Sequence, residues 1–402
     1  MPQSPTHLNR LEEPRLPGWD ADPSPPPFRK RAWVEVDLDA LENNFRLIRA
    51  HLPPSVKWIT VLKDDAYGHG AVPAARLAAK CGAAIIAVSN LEEALALRRE
   101  GIQTPILIFG ETHPEEAPCY LEHNLRPSVT TSEAGAWFDR EARRRGVRLP
   151  VHVKVETGMG RYGVRWTEAI ELFRKLRDRP GILLEGVYSH FARSDEADKE
   201  FARLQLSRFK ETLEAAAREG MRFPLRHICN TGGFLDLPEA HLDAVRVGIL
   251  HTGVYPSAVC RRLPGLRPAM SVKARVAAIR QMEPGDNVGY GLRYQCPSPR
   301  RIAVIPVGYG DGYPRVRNEG WVLIHGRRAP VVGANAMDAT MVDVTDIPEA
   351  RVWGEATLLG KQGEEEITAH DIARWKGTIS YEVLVGWRER LPRVYVSGKK
   401  NA

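Results

Sequence analysis

The stretch Trp58-Ile59-Thr60-Val61-Leu62 starts the pattern on which the fold assignment rests. It is a short run of β-branched and aliphatic residues, which is typical of a buried strand. Seven further runs of this kind follow, at residues 84–88, 105–109, 125–130, 151–155, 183–188, 227–230 and 244–250. Segments with helical spacing lie between them, such as 91–99, 132–145, 167–177 and 200–218. Strands and helices that alternate in this way predict an α/β fold, a closed parallel (β/α)8 barrel of the TIM type.

Past residue 265 the alternation with helices ends. Strand-like runs occupy residues 271–279, 302–307, 321–324, 330–332, 341–344 and 357–359, and helical spacing is found only near residues 369–375. Turn residues such as Gly285-Asp286-Asn287 and Gly326-Arg327-Arg328 separate the runs. We therefore expect the barrel to be followed by a smaller, mainly β C-terminal domain.

The first residues differ in composition from the rest of the chain. Residues 1–31 contain many prolines, including the run Pro25-Pro26-Pro27, and few large aliphatic residues. Such a segment cannot bury enough apolar surface to become ordered. We expect a disordered proline-rich tail at residues 1–31, the barrel at 32–264 and the β-rich domain at 265–398.

The composition limits the classes of protein to which the chain can belong. The 402 residues are 43% hydrophobic and 27% charged, as in an ordinary globular protein. No apolar run is long enough to cross a bilayer, so a membrane protein is not expected. The formal charge of +7 is scattered along the chain, which argues against nucleic-acid binding. The five cysteines are widely spaced without a Cys-x-x-Cys pair, so we expect no metal site and a cytoplasmic protein.

Polar and basic residues gather where the predicted barrel strands end. They are Lys63, Lys154, Arg161, His190, Asn230, Thr231 and the run Arg246-Val247-Gly248. Each of them alone would more often be structural, but the carboxyl ends of barrel strands share one face, where barrel enzymes bind their ligands. A mouth that collects lysine, arginine and histidine predicts an anionic ligand, and the groups after the last two strands lie where barrels often hold phosphate.

Local motifs point to one family. The motifs are Val61-Leu62-Lys63-Asp64-Asp65-Ala66-Tyr67-Gly68-His69-Gly70, Lys154-Val155-Glu156-Thr157-Gly158-Met159-Gly160-Arg161, Ser189-His190-Phe191, Cys229-Asn230-Thr231, Arg246-Val247-Gly248-Ile249, Val288-Gly289-Tyr290-Gly291, Gly308-Tyr309-Gly310-Asp311-Gly312-Tyr313-Pro314-Arg315, Met337-Asp338 and Thr378-Ile379-Ser380-Tyr381-Glu382. In this order, from about Ala32 to Tyr395, the chain resembles the alanine racemases, fold type III enzymes that depend on pyridoxal phosphate.

The resemblance implies a role for each matching residue. Lys63 would carry the cofactor, and Lys63 and Tyr290 would be the two bases that interconvert L- and D-alanine, supplying D-alanine for cell-wall synthesis. Residues implied to bind the cofactor are Lys63, Tyr67, Arg161, His190, Asn230, Thr231, Arg246, Gly248, Ile249 and Tyr381. Those implied to contact the substrate are Arg161, Tyr309 and Met337. Lys154 matches a lysine that is often carbamylated in the family.

The chemistry agrees with these implied roles. Racemisation removes a weakly acidic α-proton, which requires an electron sink and an acid–base group on each face of the carbon. A phenol has a pKa near 10, so Tyr290 needs neighbouring positive charge to act as a base at neutral pH.

The resemblance also implies a homodimer with shared active sites. In the family, the residues that match Tyr290, Tyr309 and Met337 complete the site of the partner subunit. The chain departs from the family pattern at Asp64, Thr252 and Ala334, where alanine, tyrosine and arginine are usual. These departures leave open a racemase for another amino acid, such as serine or a basic one, and a non-catalytic pyridoxal-phosphate carrier. A related decarboxylase fits less well, because Tyr290 and Arg246 suit the return of a proton.

Overall fold

The structure is a computed structural model that describes residues 31–398. The predicted tail, residues 1–31, therefore lies outside the described residues apart from Arg31. Up to residue 252 the elements are β1 (Ala32–Asp37), α1 (Leu38–Ala50), β2 (Lys57–Val61), α2 (Lys63–Gly68), α3 (Ala71–Lys80), β3 (Ile85–Val88), α4 (Leu91–Arg99), β4 (Ile106–Ile108), α5 (Ala117–Glu122), β5 (Leu125–Val129), α6 (Ser132–Arg144), β6 (Leu149–Glu156), β7 (Val164–Arg165), α7 (Ala169–Arg177), β8 (Ile182–Tyr188), α8 (Glu200–Arg218), β9 (Leu225–His227), α9 (Thr231–Asp236) and β10 (Ala244–Val247). The later elements are β11 (Met270–Arg275), β12 (Ala278–Met282), β13 (Asn287–Val288), β14 (Tyr294–Gln295), β15 (Arg300–Ile305), β16 (Trp321–Ile324), β17 (Arg327–Pro330), β18 (Thr340–Asp343), β19 (Glu355–Gln362), β20 (Glu365–Ile367), α10 (Ala369–Lys376), α11 (Ser380–Val385) and β21 (Arg393–Val396).

Eight parallel strands form a barrel in the order β10-β2-β3-β4-β5-β6-β8-β9. Backbone hydrogen bonds beside β9 and β10, from Asp243 N–H to Arg226 O and from Arg246 N–H to Cys229 O, nearly close the ring. Helices cover the outside, and capping residues start several of them, such as Asn90 for α4 and Thr131 for α6. The predicted (β/α)8 barrel is confirmed. No helix within residues 31–398 combines the length and apolarity needed to span a bilayer.

Strand β1 belongs to the second domain, although the sequence placed it at the start of the barrel. It pairs antiparallel with β11 and parallel with β21. Its apolar residues Trp33, Val34 and Val36 are buried, so the strand needs a position inside a sheet, with a neighbouring strand on each side. The barrel has no open edge for it, and the prediction that the barrel begins at residue 32 is wrong for this strand.

The C-terminal domain is mainly β, as predicted. Its larger sheet has the order β17-β16-β19-β11-β1-β21, and a second sheet has the order β12-β15-β18. The run 271–279, predicted as one strand, is two strands, because the chain crosses from one sheet to the other between them. Val276 N–H donates to Gly354 O, and Ala277 N–H donates to Val304 O.

Two helices, rather than the predicted one, close the C-terminal domain. Helix α10 agrees with the prediction and ends at Gly377, which has a left-handed backbone. Helix α11 was missed, because its six residues include Tyr381, Val383 and Val385, which favour strands in isolation. It forms because it packs against α2 at the barrel mouth, and tertiary packing outweighs such weak propensities.

The connection between the domains starts with a tight turn at Gly253. The backbone there has φ +82°, and Ala269 N–H donates to Thr252 O across the connection. A Cβ atom on residue 253 would lie 2.0 Å from Arg267 O. Glycine is therefore needed both for the left-handed conformation and for the close approach of two backbone segments.

We expect Gly253→Ala to destabilise the protein more than Gly82→Ala. Gly82 has a similar φ of +89°, but a Cβ there meets no atom within 4 Å, so alanine should cost only about 1–2 kcal/mol of conformational strain. At Gly253 the backbone clash adds to that strain. Thermal unfolding of both variants measures the difference, and equal melting temperatures would contradict this account of the connection.

Candidate active site

A cavity of about 520 Å³ opens at the carboxyl ends of the barrel strands. Its lining includes ten of the residues that the sequence singled out, namely Lys63, Tyr67, Lys154, Arg161, His190, Asn230, Thr231, Arg246, Gly248 and Tyr381. Most of them lie at or just after the ends of barrel strands, whereas Tyr381 belongs to α11 of the second domain. The cavity is therefore enclosed by the barrel mouth and one helix of the β domain.

Lys63 is followed by an unusual backbone turn. The next four residues, 64–67, have φ values between +51° and +55°. Left-handed backbone costs a residue other than glycine about 1–2 kcal/mol, so neighbouring groups must hold this turn. Asp64, one of the departures from the family pattern, belongs to this turn, because β2 has already ended at Val61. Asp64 is exposed, and its side chain does not line the cavity.

Two carboxylates hold the turn in place. Glu93 on α4 accepts hydrogen bonds from Asp64 N–H (2.7 Å) and from Ser89 N–H (2.7 Å). Asp65 accepts one from Ala71 N–H, at 2.7 Å. Because these bonds tie the turn to β3 and α3, they offset the strain and fix the direction in which Lys63 leaves the barrel. Nothing in the sequence indicated this role of Glu93.

Arg246 is almost completely buried, with 1% of its surface exposed. Its Nη2 donates to Ser189 O (2.7 Å), Ile228 O (3.0 Å) and His190 Nδ1 (3.0 Å), and its Nη1 donates to His227 Nδ1 (2.8 Å). Burial lowers the pKa of Arg246 to about 10, so the guanidinium remains charged at neutral pH. Its Nε is buried and has no hydrogen-bond partner within residues 31–398. One donor of a fixed cation is therefore left for a ligand.

A chain of polar groups behind Arg246 was missed by the sequence analysis. Arginine only donates, so His227 accepts at Nδ1 and carries its proton on Nε2. That nitrogen lies 2.9 Å from His152 Nδ1, and His152 Nε2 lies 3.1 Å from Glu185. Arg126 donates to the same carboxylate at 3.3 Å. His152 and His227 lie inside the otherwise apolar runs 151–155 and 227–230, and these buried histidines could have indicated the polar chain from the sequence.

Burial keeps these imidazoles neutral. It lowers the pKa of His152, and it lowers the pKa values of His190 and His227 well below the usual range, with the charge of Arg246 adding to the effect. Burial raises the pKa of Glu185, but the hydrogen bond from His152 and the charge of Arg126 outweigh it, and the net shift is downward. The series of hydrogen bonds therefore runs from the permanent cation Arg246 through two neutral imidazoles to the anionic Glu185.

Glu156 organises the loop that carries Arg161. Its carboxylate accepts hydrogen bonds from the backbone N–H groups of Gly158, Met159 (2.5 Å), Gly160 (2.9 Å) and Arg161 (3.3 Å). Four donors around one carboxylate fix the loop backbone, and Arg161 at the end of this loop lines the cavity.

Lys154 is buried beside two aromatic rings. It is 5% exposed, and its Nζ lies 5.2 Å from the ring centre of Tyr162 and 5.4 Å from that of Tyr188. Burial, followed by the positive charges of Arg161 and Arg246, lowers the pKa of Lys154 to about 7. At neutral pH the Lys154 amine is therefore uncharged in a large fraction of the protein molecules, and the uncharged amine is a nucleophile.

Two hydroxyl groups of the cavity lining lie next to Gly248. Gly248 N–H donates to Thr231 Oγ1 at 3.1 Å. A Cβ atom on Gly248 would lie 2.2 Å from the Tyr67 hydroxyl oxygen, so glycine allows that hydroxyl to reach the backbone. The rings of Tyr67 and Tyr381 lie 6.1 Å apart. Burial raises the pKa of both phenols, which therefore remain protonated hydrogen-bond donors.

Two predicted cofactor residues have local structural roles. Asn230 lines the cavity, but its side chain caps α9 by accepting from Gly233 N–H (3.0 Å) and also accepts from Ser194 Oγ (2.6 Å). Ile249 is fully buried beside Gly248 and is not part of the cavity lining. Asn230 therefore shapes the loop, and Ile249 supports it from behind.

The structure does not bring Tyr290, Tyr309 and Met337 to this cavity. All three lie in the β domain and none lines the cavity. Tyr290 is 72% exposed and Met337 is 56% exposed. The departures Thr252 and Ala334 are both buried, so neither presents a side chain to solvent.

The lining fits pyridoxal phosphate. Lys63 supplies an amine, the unpartnered Nε of Arg246 suits a ring nitrogen that accepts a hydrogen bond, and the hydroxyls near Gly248 suit a phosphate. The volume of the cavity lies in the range of about 300–1,000 Å³ that is usual for cofactor sites. No group of three or more His, Cys, Asp or Glu in the described part of the chain could hold a metal ion.

Comparisons with known proteins cover most of the chain. Residues 36–256 match the family described as "Alanine racemase, N-terminal domain", and residues 269–395 match "Alanine racemase, C-terminal domain". An alanine racemase of Syntrophobacter fumaroxidans is 43% identical over 353 residues, which are 88% of this chain and 94% of that protein. The solved alanine racemase of Clostridium difficile 630 has a TM-score of 0.87 at 35% identity and covers 92% of this chain and 96% of its own. A histidine racemase of Leuconostoc mesenteroides has a TM-score of 0.83 at 28% identity, covering 92% and 98%.

We expect the folded protein to lose stability as the pH falls below about 6.5, the pKa of an unfolded histidine. His190 and His227, whose pKa values burial lowers well below the usual range, stay neutral in the fold, so below that pH only the unfolded chain takes up their protons. Each of these histidines should lower the free energy of unfolding by about 1.4 kcal/mol for each pH unit below this pKa. Unfolding free energies at pH 7, 6 and 5 measure the slope. His227→Asn should reduce it by one such step, and an unchanged slope would show that this ring is protonated in the fold.

Proposed function

Because the chain belongs to the alanine racemase family, we propose that it interconverts L- and D-alanine with pyridoxal phosphate bound in the barrel cavity. The observation that carries the proposal is that Lys63 and the buried Arg246, whose Nε has no hydrogen-bond partner within residues 31–398, line one cavity. The resemblance adds a cytoplasmic location and a supply of D-alanine for cell-wall synthesis.

The residues around the cavity would hold the cofactor at three points. Lys63 would attach it through its amine, and Arg246 would donate from Nε to the ring nitrogen. Tyr67, Thr231 and Tyr381 would bind the phosphate. Because neighbouring acceptors fix the other nitrogens of Arg246, its remaining donor is already oriented before the cofactor binds.

Two residues would move the proton. Bound pyridoxal phosphate supplies the electron sink that makes the α-proton of an amino acid removable. Lys63 Nζ takes or returns this proton on one face, and the hydroxyl oxygen of Tyr290 does so on the other, because inversion needs a group on each face. Arg246 keeps its own proton, so it leaves the ring nitrogen unprotonated and favours return of the proton to carbon over side reactions.

We propose that Tyr290 acts in the neighbouring subunit of a homodimer. Tyr290, Leu292 and Met337 expose 72%, 68% and 56% of their surface on the β domain. Ile379, which is 63% exposed, lines the barrel cavity. Exposed apolar side chains of this size are typical of interfaces, and a twofold dimer in which the β domain of each chain meets the barrel cavity of the other would cover both surfaces. Tyr309 and Met337 would then contact the substrate together with Arg161.

Lys154 has the properties that carbamylation requires. Its neutral amine attacks the carbon of CO2, forming one N–C bond and releasing one proton, and the product is an anion. Arg161 and Arg246 lower the pKa of Lys154 by their positive charge, so an anion at this position is stabilised by the same two groups. The carbamate would hold Arg161 in position for the substrate carboxylate.

A racemase for a basic amino acid is the second candidate. It is favoured by the similarity to the histidine racemase and by Ala334, which replaces the usual arginine near Met337. A serine racemase is a further candidate of this kind. Chiral analysis of the products from a panel of amino acids distinguishes these substrates. A non-catalytic carrier of pyridoxal phosphate would need only the barrel, so the β domain with Tyr290 argues against it.

We expect Lys63→Ala and Tyr290→Phe to be inactive separately and active when mixed. Each substitution removes one of the two bases, which should lower the rate by at least about 100-fold. In a hybrid dimer one site receives Lys63 and Tyr290 from different chains and is intact. Random mixing should therefore restore about a quarter of the wild-type activity.

The control for the mixing experiment is the double variant, Lys63→Ala with Tyr290→Phe on one chain, mixed with Tyr290→Phe. No dimer in this mixture contains an intact site, so activity should stay at the level of the separate variants. Activity in Tyr290→Phe alone would exclude Tyr290 as a base. A cofactor-bound mixture of the two single variants without recovery would contradict sharing between subunits.

We expect Lys154 to take up labelled CO2. With 13C-bicarbonate, the protein should show a carbamate carbon signal in NMR that Lys154→Gln lacks, because the neutral amine is the reacting group. Removing CO2 at a pH below the Lys154 pKa of about 7 should weaken the signal most, since protonation removes the nucleophile. A signal that persists in Lys154→Gln would assign the carbamate to another amine.

A further inference from the structure

A carboxylate outside the barrel cavity has no role in the mechanism above. Asp311 is fully buried, and arginines from both ends of the chain reach it. Arg31 Nη2 lies 2.5 Å from Asp311 Oδ1, and Arg390 Nε lies 3.4 Å from the same oxygen. Asp311 Oδ2 accepts from Gly308 N–H at 3.0 Å. We call Asp311, Arg31 and Arg390 the carboxylate clamp.

The clamp fixes the turn that carries Tyr309. The turn, residues 308–312, is closed by the bond from Gly308 N–H to Asp311, and a bond from Arg388 N–H to Asp311 O at 3.0 Å joins it to the segment that precedes Arg390. It is also joined to the segment that carries Met337, because Gly310 N–H donates to Met337 O at 2.7 Å. Movement of the turn would therefore move Tyr309 and Met337 together.

The same backbone connects to the turn that carries Tyr290. Asn318 accepts from Gly333 N–H at 2.6 Å and donates from Nδ2 to Arg293 O at 3.0 Å. Arg293 directly follows the short 3₁₀ turn Tyr290–Leu292. Asn318 thus joins the segment 333–337 to that turn. Tyr290, Tyr309 and Met337 are therefore joined by one continuous series of hydrogen-bonded backbone segments. The carboxylate clamp anchors one end of this series.

Removing the buried carboxylate would leave two cations and one backbone N–H without their partner. The unpaired groups would have to move toward water, and the turn would move with them. A displacement of about 1 Å at a substrate-positioning group can lower a rate by about 100-fold, so a small movement here would be felt in catalysis.

We propose that Asp311, held by Arg31 and Arg390, is a positioning residue for the active site of the partner subunit. It fixes Tyr309 and Met337 where the substrate of the neighbouring chain binds. This inference rests on the proposed function, because it requires shared sites in a homodimer. The clamp binds no cofactor, so its loss changes substrate affinity and leaves cofactor affinity unchanged.

An action within the same chain is the competing explanation. Arg390 lines a groove together with Asp64 and Asp65, which follow Lys63 in the same chain. If the clamp acted through this groove, it would affect the Lys63 turn of its own subunit. The experiment must therefore distinguish the chain that supplies Lys63 from the chain that supplies Tyr290.

Hybrid dimers with one intact site make this distinction. One chain carries Lys63→Ala and supplies Tyr290, and the other carries Tyr290→Phe and supplies Lys63. Asp311→Asn on the first chain should raise the KM for L-alanine about tenfold with a smaller change in kcat, whereas on the second chain it should leave KM within about twofold. Propionate, which has the carboxylate and carbon chain of alanine but no reacting amine, should lose affinity in parallel, measured from the cofactor absorbance.

Two further variants control for folding. Arg31→Gln on the Tyr290-supplying chain weakens the clamp while leaving Arg390 in place, and it should raise KM in the same direction by a smaller factor. Arg328→Gln removes an ion pair with Glu365 that is exposed on the same domain, and it should leave KM unchanged. If Asp311→Asn prevents assembly, Arg31→Gln decides the question.

An unchanged KM with Asp311→Asn or Arg31→Gln on the Tyr290-supplying chain would overturn the inference. An equal rise from both chains, or a rise only from the Lys63-supplying chain, would overturn it too. A hybrid that binds cofactor but is inactive without any clamp substitution would reject shared sites, and the inference would fall with them. If the hybrid is active but its KM does not change with the clamp substitutions, the inference fails while the proposed function stands.

Discussion

Burial of one permanent cation constrains the whole barrel mouth. A guanidinium cannot release its proton at physiological pH, and none of the hydrogen bonds of Arg246 within residues 31–398 goes to a carboxylate. Two backbone carbonyls and two neutral imidazoles must therefore solvate it. This explains why histidines appear inside apolar strands and why Glu185, the carboxylate of this hydrogen-bonded series, is separated from Arg246 by two imidazole rings. A carboxylate in contact with Arg246 would compete for its remaining Nε donor.

The sequence was sufficient where the chain follows simple periodicity. Eight apolar runs separated by amphipathic segments identified the barrel, and the order of strand ends predicted which side chains meet at its mouth. Lys63, His190 and Arg246 were found in this way because each lies at or directly after a strand, where position along the chain translates into position in space. The same logic separated the mainly β domain, whose runs lack intervening helices.

The remaining features depend on contacts between distant segments. Strand β1 pairs with residues more than 200 positions away, which no local pattern reports. Helix α11 exists through packing, and the left-handed turn after Lys63 exists because Glu93 and Asp65 bind its backbone. The polar chain behind Arg246 needs the register of three strands to bring His152, His227 and Glu185 together. Hydrogen-bond partners of this kind are properties of the fold rather than of the segment.

The position of β1 has a consequence for synthesis on the ribosome. All barrel strands have been translated by residue 247, whereas the partners of β1 are β11 and the last strand, β21. Strand β1, with Trp33, Val34 and Val36, must therefore wait for a partner until β11 has been translated, and its second edge stays open until β21 has been made. Because such long loops close slowly and exposed strand edges aggregate, this is the stage at which a nascent chain is most in need of a chaperone. The barrel can fold vectorially, but the domain in which β1 pairs with β21 cannot.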